Sequence, residues 1–285
     1  EKAAAAGIEL ITLARPELDL TGEPQAITDA VVAAGYNASV IVNAAAYTAV
    51  DNAENEPDLA MAANGVGAGA VANAARRLGV PVIQISTDYV FDGAKNGPWI
   101  ETDPVAPLGV YGASKLNGER AVASAHPRHV ILRTAWIYSP FGHNFVRTML
   151  RLGTERDRLK IVADQHGCPT SALDIADAVL TIADRLVVEP ANGDLYGVFH
   201  LAGAGTANWA DFARAIFKGA AARGRPVADV VSILTRDYPT PAARPKNSVL
   251  STRRLEERYG LRLPEWEESL CVVLDRLLST DDRLV

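Results

Sequence analysis

The chain has 285 residues, 48% hydrophobic and 22% charged, which is enough to bury a sizeable core and too apolar for a disordered chain; its length suggests about two lobes. The formal net charge of −6 leaves no global basic field, so a nucleic-acid partner is not expected, and no run approaches the roughly 18 consecutive apolar residues of a membrane span. Two cysteines far apart, Cys168 and Cys271, point to two buried thiols in a reducing compartment, and five histidines in no metal-ligand spacing point to no metal site.

The chain opens on Glu1, Lys2 and four alanines before Gly7, which reads as the last turn of a helix closed by a glycine. No initiator methionine and no signal-peptide pattern are present, which leaves the cytoplasm as the default location. A strand is then predicted from Ile8 to Leu13, a helix from Gln25 to Ala34, a strand from Ser39 to Asn43 and a helix from Asp58 to Leu78. A strand from Val80 to Ser86, a helix from Tyr111 to Ser124 and a strand from Val130 to Thr134 follow. Next come helices from Asn144 to Leu152 and Ala172 to Arg185, a strand from Val198 to Leu201 and a helix from Trp209 to Ala222. Short β-branched runs alternating with helical segments predict an α/β fold, a doubly wound parallel sheet of Rossmann type. From about Ser139 the regularity weakens and proline-bearing loops intervene, which predicts a smaller C-terminal lobe. The expected division is 1–138 plus about 171–202 for the sheet domain, and about 139–170 plus 203–285 for the lobe. Arg147, Arg151 and Arg158 read as a solvated or subunit-facing stripe.

Ligands of such sheets bind outside the carboxyl ends of the strands, so the residues there carry the chemistry. Tyr111 and Lys115, spaced i, i+4, can project from one helix face, and an ammonium beside a phenol lowers its pKa toward use as a proton donor. Taken alone, the two read equally as a surface pair. The strand through Ile83 and Ile85 ends in Ser86, Thr87 and Asp88; a hydroxyl there can hold a carbonyl oxygen, and the alternative is that these side chains merely cap a turn. Together the two patterns favour catalysis. At the end of the first predicted strand, Arg15 stands where an acidic residue selects NAD, and an arginine there accommodates a 2′-phosphate; the alternative is an exposed loop arginine.

The run from Val42-Asn43 through Ala44-Ala45-Ala46-Tyr47-Thr48 to Asp51, the segment Ser86 to Gly93, Tyr111-Gly112-Ala113-Ser114-Lys115, and Arg133-Thr134-Ala135-Trp136 with Tyr138 resemble the extended short-chain dehydrogenase/reductase family. Asp164 to Thr170 and Tyr238 to Asn247 fit the family's reductases of 4-keto sugar nucleotides, so the resemblance covers nearly the whole chain. It implies an NADPH-dependent oxidoreductase, with NADH as an alternative, that reduces the C4 keto group of dTDP-4-dehydro-6-deoxy-L-mannose to dTDP-L-rhamnose. Thr87, Tyr111 and Lys115 would be the catalytic triad. Ala45, Ala46, Tyr47, Thr48 and Ile85 would line the cofactor with Tyr111, Lys115 and Arg15. Asp88 and Trp136 would contact the sugar, Trp136 also reading as a core aromatic, and Arg244 and Lys246 are candidates for the substrate diphosphate. Family members are often homodimers. Alternatives are another nucleotide-sugar reductase or epimerase, or a non-catalytic regulatory subunit resembling the partner of methionine adenosyltransferase. The family also opens with a strand and a G-x-x-G-x-x-G turn that holds the cofactor pyrophosphate. Neither is present in these residues, and the expectation is a natural chain that begins upstream of Glu1.

Overall fold

The structure is a computed structural model that describes residues 1–279. The first half runs α1 (Lys2–Ala5), α2 (Pro24–Ala34), β1 (Ile41–Asn43), α3 (Val50–Ala53), α4 (Pro57–Met61), α5 (Ala68–Leu78), β2 (Val82–Thr87), α6 (Val110–Ala125) and β3 (His129–Thr134). Then come β4 (Ile137–Tyr138), α7 (Phe145–Glu155), β5 (Arg158–Val162), β6 (His166–Gly167), β7 (Thr170–Ser171), α8 (Ala172–Val188) and β8 (Gly197–His200). The chain continues through β9 (Ala207–Asn208), α9 (Trp209–Ala221), β10 (Asp229–Ile233), α10 (Arg253–Tyr259) and α11 (Trp266–Leu278).

Buried β-branched runs place the main sheet in the core. β1, β2, β3 and β8 pair in that order, all parallel, and successive residues alternate between two apolar layers. Val82 and Ile131 face the layer formed with α2 and α5, which includes Ile27, Val31 and Val71. Ile83, Val130 and Leu132 face the opposite layer, with Ile182 and Leu186 of α8 and Leu255 of α10. A third cluster gathers Val146 and Met149 of α7, Phe212 and Ile216 of α9, and Leu270 and Val273 of α11, flanked by the parallel pair β5–β10. Among the described residues, no helix is long and apolar enough to cross a membrane.

Four expectations are corrected. Residues 8–13 form no strand, and Leu10 is 63% exposed: no described strand pairs on the outer side of β1, and a strand needs a ladder as well as apolar residues. The helix expected from Asp58 to Leu78 is continuous but changes pitch, with a π-helical stretch over Ala62–Gly67 between α4 and α5. Cys168 is buried but Cys271 is exposed, because α11 buries Trp266, Leu270, Val273 and Leu274 and turns Cys271 outward. The three arginines do not share one helix, since Arg158 opens β5 while Arg147 and Arg151 lie on α7, although Arg151, paired with Glu155, and Arg158 are exposed as expected. α6 packs closely against the π-helical stretch. A Cβ on Gly118 would lie 2.0 Å from the Asn64 carbonyl oxygen, so only glycine permits that approach.

Candidate active site

β2 ends on Thr87, in register with Thr134 on β3. Thr87 Oγ1 accepts from Tyr89 N at 3.2 Å and donates to Asp88 Oδ1 at 3.0 Å, so it does cap the turn that its sequence context suggests. That turn, Asp88–Val90, sets Tyr89 edge-on to the Tyr111 ring at 6.0 Å between centroids. α6 starts beside it. Gly109 provides no side-chain cap, and Glu54 Oε1 instead accepts from Val110 N at 2.8 Å, placing a carboxylate at the helix terminus that carries Tyr111.

The i, i+4 spacing on α6 aims both Tyr111 and Lys115 at β2. Lys115 Nζ donates to the Ile85 carbonyl at 2.6 Å. Burial pushes the Lys115 ammonium down to about 8, with Glu119 opposing. The Tyr111 phenol moves up to about 12, through burial and the nearby Asp88 carboxylate, with the Thr87 hydroxyl acting in the other direction. The expected downward pull of Lys115 on Tyr111 is therefore not what the fold produces, because desolvation of the phenolate outweighs the favourable contacts.

Asp88 is buried, and desolvation raises its pKa to about 7 against the hydroxyls of Ser248 and Thr87. Its Oδ2 has no hydrogen-bond partner, and neither does Thr134 Oγ1. Two unsatisfied buried oxygens around Thr87 leave hydrogen-bonding capacity for a polar ligand at the strand ends.

Past β1, the chain runs through 44–48 without regular secondary structure, with Ala45 and Thr48 exposed and Ala46 and Tyr47 half-buried. Its path is held from behind. Asn43 Oδ1 accepts from Ala45 N at 3.2 Å, and the Asn64 side chain clamps the Tyr47 backbone from both sides, at 2.8 Å to N and 3.0 Å to O. Asn64 Nδ2 also donates to Ser114 Oγ at 2.9 Å, which ties this loop to the Tyr111 helix. Arg15 is not part of this grouping: it is exposed and paired with Asp19, four residues on, at 3.0 Å.

Trp136 has φ 46°, in the left-handed region, and its indole stacks on Trp209 of α9 at 3.6 Å between centroids. A Cβ on Gly167 would lie 2.5 Å from that indole, so Trp136 is wedged between β6 and Trp209 of α9 and does serve as a packed aromatic. Arg244 makes a bidentate pair with Asp51, at 3.0 and 2.8 Å, and Asp51 also accepts from Ala242 N at 3.2 Å. The Arg244 guanidinium holds the Asp51 carboxyl below its usual range. This clip pins the proline-rich loop near Tyr111, leaving a gap of about 10 Å³ lined by Tyr89, Tyr111, Gly112, Ala242 and Pro245. Beyond it opens a cleft of about 720 Å³ whose walls include Asp92, Lys95, Asp164, His166, Arg244 and Lys246. Gly93 admits the loop there: φ is +78° and a Cβ would lie 2.6 Å from Pro245.

Thr87, Asp88, Tyr111 and Lys115 thus meet at one sheet edge, with 44–48 beside them and Arg244 and Lys246 on the adjoining cleft. Sequence reasoning missed Asp51, Glu54, Asn64, Tyr89 and Glu119. Asn64 inside an otherwise alanine-rich helical stretch, and Glu119 four residues after Lys115, were legible signals; the others act through contacts distant in sequence.

A family model described as the RmlD substrate binding domain matches residues 1–279. The chain belongs to this family. It is 52% identical over 263 residues to a dTDP-4-dehydrorhamnose reductase of Sinorhizobium fredii, covering 92% of this chain and 87% of that protein. With the protein of that name from Escherichia coli K12 it shares 44% identity, covering 85% and 80% of the two chains. Among solved structures, a dTDP-4-dehydrorhamnose reductase of Clostridium acetobutylicum superposes with a TM-score of 0.87 at 39% identity, covering 97% of this chain and 93% of that one. Another from Bacillus anthracis, in complex with NADP, gives a TM-score of 0.84 at 36% identity, covering 93% and 89%.

Proposed function

We propose that this chain is an NADPH-dependent dTDP-4-dehydrorhamnose reductase, converting dTDP-4-dehydro-6-deoxy-L-mannose to dTDP-L-rhamnose. The observation that carries the reading is the meeting of Thr87, Tyr111 and Lys115 at the sheet edge, in a chain similar over most of its length to proteins of that name. The half-exposed loop 44–48 and the unsatisfied oxygens below it suit a nicotinamide nucleotide and a sugar carbonyl side by side. Ala45, Ala46, Tyr47, Thr48 and Ile85 would hold the cofactor, and Lys115 would grip its ribose. Bound there, the reduced nicotinamide supplies the hydride that the sugar C4 receives.

Tyr111 gives its proton to the C4 oxygen as that oxygen gains negative charge, and the Thr87 hydroxyl donates a hydrogen bond to the same oxygen. A phenol held at about 12 keeps its proton until charge develops on its partner, which suits an acid in the reductive direction. Asp88 and Trp136 contact the sugar, and Arg244 and Lys246 face the diphosphate from the cleft. On this reading, residues 1–138 with 171–202 hold the dinucleotide, and 139–170 with 203–279 hold the sugar nucleotide.

The test is NADPH consumption with the 4-keto sugar nucleotide generated in situ. Tyr111→Phe should lower turnover by about 10²–10⁴-fold while cofactor binding persists. Unchanged turnover would remove Tyr111 as the acid. A wild-type protein that binds NADPH but turns over only another sugar nucleotide reassigns the substrate, and one with no turnover on any favours the regulatory-subunit alternative.

A further inference from the structure

One face of α6 carries Tyr111, Lys115 and, one turn further, Glu119. Glu119 is buried with a fully engaged carboxylate. Ser86 Oγ donates to it at 2.6 Å, Arg133 Nε to Oε1 at 2.9 Å and Arg133 Nη2 to Oε2 at 2.7 Å. Ser86 and Arg133 sit opposite each other in the β2–β3 register, one residue before the Thr87–Thr134 pair. Both side chains of the ion pair are 5% exposed. A buried ion pair is no stability gain over well-packed apolar groups, so this cluster is not explained by stability. What it adds is direction: three charge-assisted bonds fix the rotation and height of α6 over the sheet, which apolar contacts would leave adjustable.

We propose, on the reductase reading above, that Glu119 is a positioning residue: with Arg133 and Ser86 it locks α6 against β2 and β3 where Tyr111 and Lys115 meet Thr87, and it supplies the anion that balances the Lys115 ammonium. Burial lowers the Lys115 pKa, and Glu119 raises it. The other titratable groups of this face are Tyr111 on α6, Asp88 and Tyr89 from the turn after β2, and Arg133 from β3.

The experiment compares wild type, Glu119→Gln and the double variant Glu119→Leu/Arg133→Met, which removes both members of the ion pair so that neither is left without the other, and keeps a folded protein in hand if the single variant unfolds. Thermal unfolding, kcat, both KM values and the pH midpoint for acetylation of Lys115, followed by peptide mass spectrometry, are measured on each. The expected result for folded variants is a kcat lower by about 10–100-fold with KM values within about threefold. The Lys115 midpoint should fall by about one pH unit. A folded variant with wild-type kcat, or with raised KM and unchanged kcat, overturns the proposal. The acetylation midpoint needs no turnover, so a wild type without reductase activity sinks only the reductase reading. An unmoved midpoint still overturns the role of Glu119.

Discussion

Gly112 follows the proposed acid directly and has no room for a side chain. A Cβ there would lie 2.2 Å from the Tyr89 carbonyl oxygen and 2.9 Å from Pro107 Cβ, where ordinary contact begins at 3.4 Å. Gly112→Ala therefore demands a separation of about 1 Å between α6 and the 88–90 turn. Neither obstacle is the free end of a flexible side chain: the Tyr89 oxygen belongs to a turn held by Thr87 Oγ1 and by Phe91 N donating to Asp88 O. The overpacking costs about 1–3 kcal/mol, and the better helix propensity of alanine offsets up to ~1 kcal/mol, so net destabilisation is small. The main effect falls on chemistry, because the shift parts Tyr111 from Thr87, and a misplacement of about 1 Å costs on the order of 10²-fold in rate. Turnover of the 4-keto sugar nucleotide and thermal unfolding are measured together, with Gly193→Ala as the control, since a Cβ at Gly193 meets nothing within 4 Å. Gly112→Ala with wild-type kcat refutes the claim that this close approach sets the Tyr111–Thr87 geometry.

Three further outcomes are expected. With Tyr111 protonated to about 12, the first of the triad to lose its proton on the alkaline side is Lys115, so kcat should fall as pH rises through about 8; a flat rate up to about 10 contradicts this. Folding raises the pKa of Asp88 from 3.8 to about 7, so its contribution to stability is full below the first value and lost as pH rises through the second. The melting temperature of Asp88→Asn relative to wild type should therefore climb across that window, and a pH-independent difference contradicts it. Asp51→Asn should cost only about 0.5–1 kcal/mol in urea unfolding at neutral pH, because the pair with Arg244 is partly exposed. That difference should shrink as pH falls below the ordinary carboxyl value of 3.8, since folding lowers the Asp51 pKa. The same variant should raise the substrate KM more than it lowers kcat, and a kcat effect alone contradicts a role for the clip in holding the cleft.

Periodicity located the four strands of the main sheet and the long helices as far as α9 to within a few residues, because alternation and 3.6-residue spacing are local properties of the chain, but it did not single out α11. The Tyr111–Lys115 pair was equally legible, since an i, i+4 spacing fixes two side chains on one face wherever the helix lies. Residues 8–13 show where this reasoning stops. Their β-branched apolar character is real, but a strand exists only where another strand offers its backbone, and β1 has no described neighbour on that side.

The site divides along the same line. The residue types at the strand ends, the hydroxyl-rich turn after β2 and the helix bearing Tyr111 followed from order along the chain. The direction of the Tyr111 shift did not, because it depends on how much water the folded protein removes and on how close Asp88 comes. Nor did the Asp51–Arg244 clip, the Trp136–Trp209 stack or the Glu119–Arg133 pair, whose members in the first case lie 193 residues apart. Backbone propensity and side-chain periodicity are written locally and survive in any context that buries one face. Desolvation, charge pairing and close backbone approach exist only between segments that the fold brings together, and on these the chemistry of the sheet edge depends.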